Sequence, residues 1–150
     1  MTLIREIPNR ELVGYIKQLI EAGRRVTFCP KGQSMWPFIR GGRDNVILAA
    51  PGILRRGDIL LAEIRPGSYV LHRLIRQEGE QLFLMGDGNV RAIEPCTQAQ
   101  VIAKVATLIR DGRYIDCDGQ AFRQYSFWWM KLAPVRRYLL GIGRRIGIRP

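Results

Sequence analysis

Ser34 stands in the run Gly32-Gln33-Ser34-Met35-Trp36-Pro37, directly after the apolar segment Val26 to Cys29. The only histidine of the 150-residue chain, His72, lies in Tyr69-Val70-Leu71-His72-Arg73. A serine hydroxyl becomes a useful nucleophile only when a neighbouring group accepts its proton. A histidine, with an unperturbed pKa near 6.5, does this at neutral pH and can return the proton to a leaving amine. If a histidine activates Ser34, it is His72. The backbone N–H of Ser34 is the natural donor to an oxyanion. The bland alternatives are a turn serine and a satisfied core histidine.

These residues need a framework, and one domain is what the chain can build. It is 47% apolar and 25% charged, an ordinary globular composition. Asn9 to Gly23 reads as a helix, with Asn9 able to cap it, Leu12, Ile16, Leu19 and Ile20 on one face, and Gly23 as its stop. The middle is β-rich. Arg25 to Cys29, Asn45 to Ala49, Asp58 to Ile64, Tyr69 to Arg76, Gln81 to Met85, Val101 to Arg110 and Tyr114 to Cys117 are separated by turn residues such as Gly41-Gly42, Pro66-Gly67 and Asp111-Gly112. The expected fold is mainly β: a compact, barrel-like mixed or antiparallel sheet, with an N-terminal helix and a short C-terminal helical tail. The expected divisions are 1–24, 25–120 and 121–150.

Four segments, in order, resemble the type I signal peptidases and the LexA-like serine peptidases that share their fold. Gly32-x-Ser34-Met35-x-Pro37 resembles the nucleophile motif, and Arg56-Gly57-Asp58-Ile59 a Gly-Asp turn leading into a strand. Tyr69-Val70-Leu71-His72-Arg73 resembles the segment of the general base, and Phe83-Leu84-Met85-Gly86-Asp87-Gly88-Asn89 a Gly-Asp-Asn box. His72-Arg73 is similar to the histidine type rather than to the serine-lysine enzymes. The resemblance implies a signal-peptidase-like fold with Ser34 as nucleophile, His72 as general base and Asp87 as the carboxylate that orients the imidazole. Met35, Trp36 and Pro37 would border a cleft for small or apolar side chains of an extended peptide. Asp58 and Asn89 are expected to be turn and fold residues. The chain departs from the family at three places within its motifs, and the expected N-terminal membrane anchor is missing. Gly32 replaces a hydroxyl residue that helps the oxyanion, leaving the Gln33 side chain as the substitute candidate; Gly88 interrupts the box; and Val90 to Pro95 offers only Glu94, one position late, for a second aspartate.

Charge and cysteine content bound the partners. The net charge is +11, but residues 121–150 hold seven Lys or Arg and no Asp or Glu. The body is only mildly basic and gives little reason to invoke nucleic acid. Phe127, Trp128 and Trp129 beside the arginines of 121–150 suit an anionic membrane surface, or else fold back on the domain. Cys29, Cys96 and Cys117 have no metal-type spacing and read as reduced thiols, and neither metal nor cofactor is implied. The first eight residues lack a signal-peptide core, and no window resembles a membrane span. The expected location is therefore cytoplasmic, peripheral at the inner membrane face if the tail binds there. The expectation is a serine endopeptidase acting on a leader, signal-like, self or partner peptide. The alternatives are an inactive peptide-binding or regulatory module of the same fold, and a membrane-surface adaptor acting through the tail. Oligomeric state is left open.

Overall fold

A computed structural model describes residues 2–3, 9–88 and 92–145. Asn89, within the expected box, and the tips of the expected N- and C-terminal segments lie outside the described residues. In chain order the elements are β1 (Thr2–Leu3), α1 (Asn9–Glu21), β2 (Val26–Phe28), β3 (Asn45–Ala49), β4 (Ile59–Arg65) and β5 (Ser68–Glu78). There follow β6 (Gln81–Met85), β7 (Glu94–Thr97), β8 (Val101–Arg110), β9 (Arg113–Asp116), α2 (Gln120–Lys131) and α3 (Arg136–Arg145).

All nine strands join one sheet in the order β1-β2-β3-β8-β4-β5-β6-β7, with β9 also on β8. Every pairing is antiparallel except β1 with β2. The long strand β8 holds β3 along Lys104 to Ile109, while β4 and β9 pair with its two ends, Val101–Lys104 and Thr107–Arg110. Register shifts at Ile47/Leu48, Leu61/Ala62 and Leu74/Arg76 mark bulges, which bend and twist the strands that carry them. The sheet nevertheless stays open, with β1 and β7 as its ends, so the barrel-like expectation gives way to an open, curled antiparallel sheet.

Apolar residues cover both faces. On β4, Ile59 and Leu61 join a cluster with Ile16, Val26, Leu48, Leu108 and Phe122, whereas Leu60 and Ala62 join Leu74, Leu82, Leu84 and Cys96. Alternation with a period of two sends neighbours to opposite faces, so a strand covered on both sides reads as an unbroken apolar run. Helix α1 closes the first cluster with Val13, Ile16 and Ile20, spaced as one helical face. It ends where Gly23, at φ +79°, lets Arg24 N–H reach the Leu19 carbonyl and its own N–H reach Ile20.

The C-terminal segment is not a loose appendage. Helix α2 buries Phe122 and Ser126, and α3 buries Arg136 and Leu140. The division at 121 therefore cuts through a packed part of the molecule. The remaining faces of α2 and α3 leave Phe127, Trp128, Leu132, Tyr138, Leu139 and Ile142 exposed. Among the described residues, no helix is long and apolar enough to cross a membrane.

Candidate active site

Ser34 sits in the loop between β2 and β3. The residues just after it, Met35, Trp36, Phe38 and Ile39, are buried and anchor the loop, while Ser34 itself is exposed. Turn hydrogen bonds from Trp36 N to Gln33 O (3.1 Å) and from Ile39 N to Met35 O (2.8 Å) fix its course. Its far end is clamped by buried Asp44, which accepts from Arg40 N (2.8 Å) and from Arg110 Nη2 (2.7 Å). Burial acts to raise the Asp44 pKa, but the hydrogen bonds from Arg110 and Arg40 outweigh it and leave the carboxyl below its ordinary value.

His72 and Arg73 are neighbours on β5, so they project to opposite faces of the sheet. His72 pairs across β4 with Leu60, and its Nδ1 is hydrogen-bonded to Glu94 Oε2 at the start of β7. Arg73 points the other way, where its guanidinium lies among the rings of Phe38, Phe122 and Tyr125 at 5.4, 5.4 and 5.8 Å. There it makes a two-pronged pair with Asp87, Nε to Oδ1 at 2.8 Å and Nη2 to Oδ2 at 2.7 Å. It also donates to Gly57 O (3.1 Å) and to Ser126 Oγ. Burial works against the charge on Arg73, yet attraction to and hydrogen bonding with Asp87 prevail and raise its pKa.

Asp87 is thus corrected in its role. Both its oxygens serve Arg73, on the side of the sheet away from the imidazole contact, and the carboxylate that meets His72 belongs to Glu94. Asp58 is equally structural, taken up by Arg123 Nη2 (2.6 Å) and Arg55 N (2.8 Å).

The Gly-Asp-Gly turn brings the nucleophile loop and the histidine together. Gly88 N–H donates to Ser34 O (2.8 Å), and Asp87 N–H reaches Met35 Sδ (3.5 Å). A Cβ on Gly86 would fall 2.4 Å from Ser34 O and 3.1 Å from His72 Nε2, and one on Gly88 would fall 2.7 Å from Gln33 O. Glycine is required at both places because backbone meets backbone there. The Gly88 that interrupts the box is therefore a packing requirement of the Ser34 loop.

Ser34, Met35 and His72 line one cavity of about 260 Å³, together with Gly32, Tyr69 and Leu71. Of the expected groove residues Met35 reaches this cavity, while Trp36 is buried behind it and Pro37 does not line it. The Gln33 amide donates to Gly41 O (3.4 Å), away from the position next to Ser34 where an oxyanion would form. Among the described residues, the Ser34 N–H makes no backbone hydrogen bond and none joins the Ser34 hydroxyl to His72. The first half of β5, Ser68 to His72, pairs with β4 on one edge. Among the described residues, its other edge has no strand partner until Arg73 meets Met85. Buried Cys117 is chemically quiet, its thiol pushed up to about 12 by burial.

Comparison with protein-family models and with curated proteins gave no match for the chain.

Proposed function

We propose that the protein is a serine endopeptidase of signal-peptidase-like design, in which Ser34 is the nucleophile, His72 the general base and Glu94 the group that orients the imidazole. The observation that carries this reading is the two-sided setting of His72. Its Nδ1 is held by Glu94, while its Nε2 faces Gly86 beside the Ser34 backbone, in the cavity that Ser34 lines. With Glu94 ionised, the ring proton belongs on Nδ1 and leaves the Nε2 lone pair to take the serine proton. Ser34 Oγ then attacks the peptide carbonyl while the Ser34 N–H stabilises the oxyanion, a donor worth on the order of 10²–10³ in rate. His72 returns the proton to the leaving amine, and water, activated by the same imidazole, releases the acyl group.

The substrate in this reading is an extended peptide. It adds a strand to the free edge of Ser68 to His72 and places a small or apolar side chain against Met35, Ile39 and Leu71. A leader segment of a precursor, or a segment of this chain or a partner, suits such a site. A fluorophosphonate probe tests the proposal: wild type should label stoichiometrically, and Ser34→Ala and His72→Ala should not. A folded wild type that does not label would leave the fold as a peptide-binding or regulatory module.

A second reading concerns where the enzyme works. Trp128 is 63% exposed and Ile142 54%, on helices within a thirty-residue segment that has seven basic residues and no acidic one. That combination fits an anionic bilayer surface. Flotation with phosphatidylglycerol vesicles should require Trp128, and a Trp128→Ser, Ile142→Ser variant that partitions like wild type would dismiss it.

A further inference from the structure

A second cavity, of about 470 Å³, lies between β5, β6 and the elbow that joins α2 to α3. Its lining combines three arginines, Arg56, Arg76 and Arg136, with apolar residues that include Phe83, Met85 and Met130. Among the described residues, no acidic side chain lines it. Arg136 is 2% exposed, and among the described residues its Nε has no hydrogen-bond partner. Its other nitrogens make only long contacts, Nη1 to Asp87 O at 3.5 Å and Nη2 to Met85 Sδ at 4.0 Å, and its guanidinium lies over the Trp129 ring at 5.4 Å.

The single charge of the Asp87 carboxylate is paired with Arg73, and among the described residues Arg136 makes no ion pair with it, reaching only the Asp87 backbone carbonyl. Two buried guanidiniums therefore share one carboxylate, and a positive charge is left in a low-dielectric setting. Such a charge is costly unless something pairs with it. Burial, with repulsion from Arg73, lowers the Arg136 pKa in spite of the attraction of Asp87. The other two arginines are already engaged, Arg56 Nε with Ile75 O (2.8 Å) and Arg76 with Glu78 (3.3 Å) and over Phe83 (4.1 Å). They add positive potential beside the cavity, while Arg136 offers a vacant planar donor of the kind that matches carboxylate and phosphate. The cavity volume lies within the range, roughly 300–1,000 Å³, of small-molecule sites, and its apolar walls leave a ligand body somewhere to lie.

We propose that this cavity binds an amphiphilic anion, its carboxylate or phosphate head on Arg136 and its hydrocarbon chain along Phe83, Met85 and Met130. The site is independent of the peptidase reading, and its test reads binding alone. Titration calorimetry on the full chain uses octanoate, octyl phosphate, octanol and inorganic phosphate. One-site saturable binding of octanoate or octyl phosphate is expected, with octanol and inorganic phosphate each at least tenfold weaker. Tighter octyl phosphate points to a phosphate headgroup and tighter octanoate to a fatty acid, and either supports the site. Arg136→Met should weaken the tighter ligand at least tenfold. Should that variant fail to fold, Ala133→Trp, which obstructs the cavity from an exposed position, should do the same. No saturable binding, equal affinity for inorganic phosphate, or undiminished binding in either folded variant would overturn the proposal.

Discussion

Replacing Asp87 by Asn and, separately, Glu94 by Gln distinguishes the carboxylate expected from the sequence to orient His72 from the one that contacts it. The Arg73 and Asp87 side chains are 1% and 0% exposed, so solvent does not screen their pair. Removing one partner of such a pair strands the other and costs roughly 3–5 kcal/mol, with the lower figure apt here because Asn keeps one acceptor oxygen. For a domain of this size each kcal/mol moves Tm by about 2–4 °C, so Asp87→Asn should melt roughly 6–12 °C below wild type. The Glu94 side chain is 21% exposed, and Gln retains a neutral acceptor for the imidazole, so Glu94→Gln should cost about 1 kcal/mol or less. Its penalty should fall on reaction instead, because an amide no longer stabilises the imidazolium or enforces its tautomer. Removing the orienting carboxylate of a serine-histidine pair lowers rate on the order of 10⁴. Thermal melts followed by circular dichroism, with fluorophosphonate labelling rates below the melt, separate the two effects. A Glu94→Gln variant that labels like wild type, beside a stable Asp87→Asn variant that does not label, would refute this assignment and return Asp87 to the imidazole.

Gly86→Ala places a methyl 2.4 Å from Ser34 O, so it should destabilise by roughly 1–3 kcal/mol in a urea titration and slow labelling by moving the Ser34 loop. The folded pKa of Asp44 lies below its ordinary value of 3.8, so its contribution to stability is complete above that value and fades as pH falls through the folded pKa. Urea midpoints should therefore drop as pH falls below about 4, and Asp44→Asn, less stable at neutral pH, should show a shallower decline. Truncation after Gly119 removes Phe122 and the Ser126 hydroxyl that Arg73 donates to, so the shortened chain should lose its cooperative melt rather than behave as a domain without its tail.

The strands legible in the sequence were those with apolar side chains on one or both faces. β3, β6 and β8 lie where the apolar runs put them, and β4, β5 and β9 lie within two residues of the expected bounds. β7 was not legible, because Glu94-Pro95-Cys96-Thr97 carries no apolar run and Pro95 argues against a strand. Proline is tolerated there because β7 is the outermost strand, where a missing N–H costs little. Helix α2 was hidden for another reason. Its inward face, Phe122, Tyr125, Ser126 and Trp129, does keep helical spacing, but the consecutive run Phe127-Trp128-Trp129 masks that period in the sequence. Ser34 and His72, singled out in the sequence, do line one cavity. The carboxylate that contacts His72 was missed because a Gly-Asp turn is conspicuous and an edge-strand glutamate is not. The signal that could have corrected this is the His72-Arg73 pair itself. Adjacent residues on a strand face opposite ways, so one carboxylate rarely serves both.

The exchange of partners follows from the register. Leu74 pairs with Leu84 and Leu84 with Glu94, so Glu94 lies two strands from β5, about 10 Å away at the usual strand spacing. His72, two residues before Leu74, shares the face of Leu74 and Leu84, and its ring extends over the position of Gly86. Any side chain at 86 would occupy the space that the imidazole crosses to reach β7. Glutamate is the longer of the two acidic side chains, which suits a gap of two strand spacings closed by one imidazole and one carboxylate. Gly86 therefore has two tasks, letting the Ser34 carbonyl approach from the loop and letting His72 pass toward Glu94. Asp87, one residue on, is turned by the same backbone toward Arg73, so the carboxylate of the Gly-Asp turn holds the framework and the glutamate two strands away meets the imidazole.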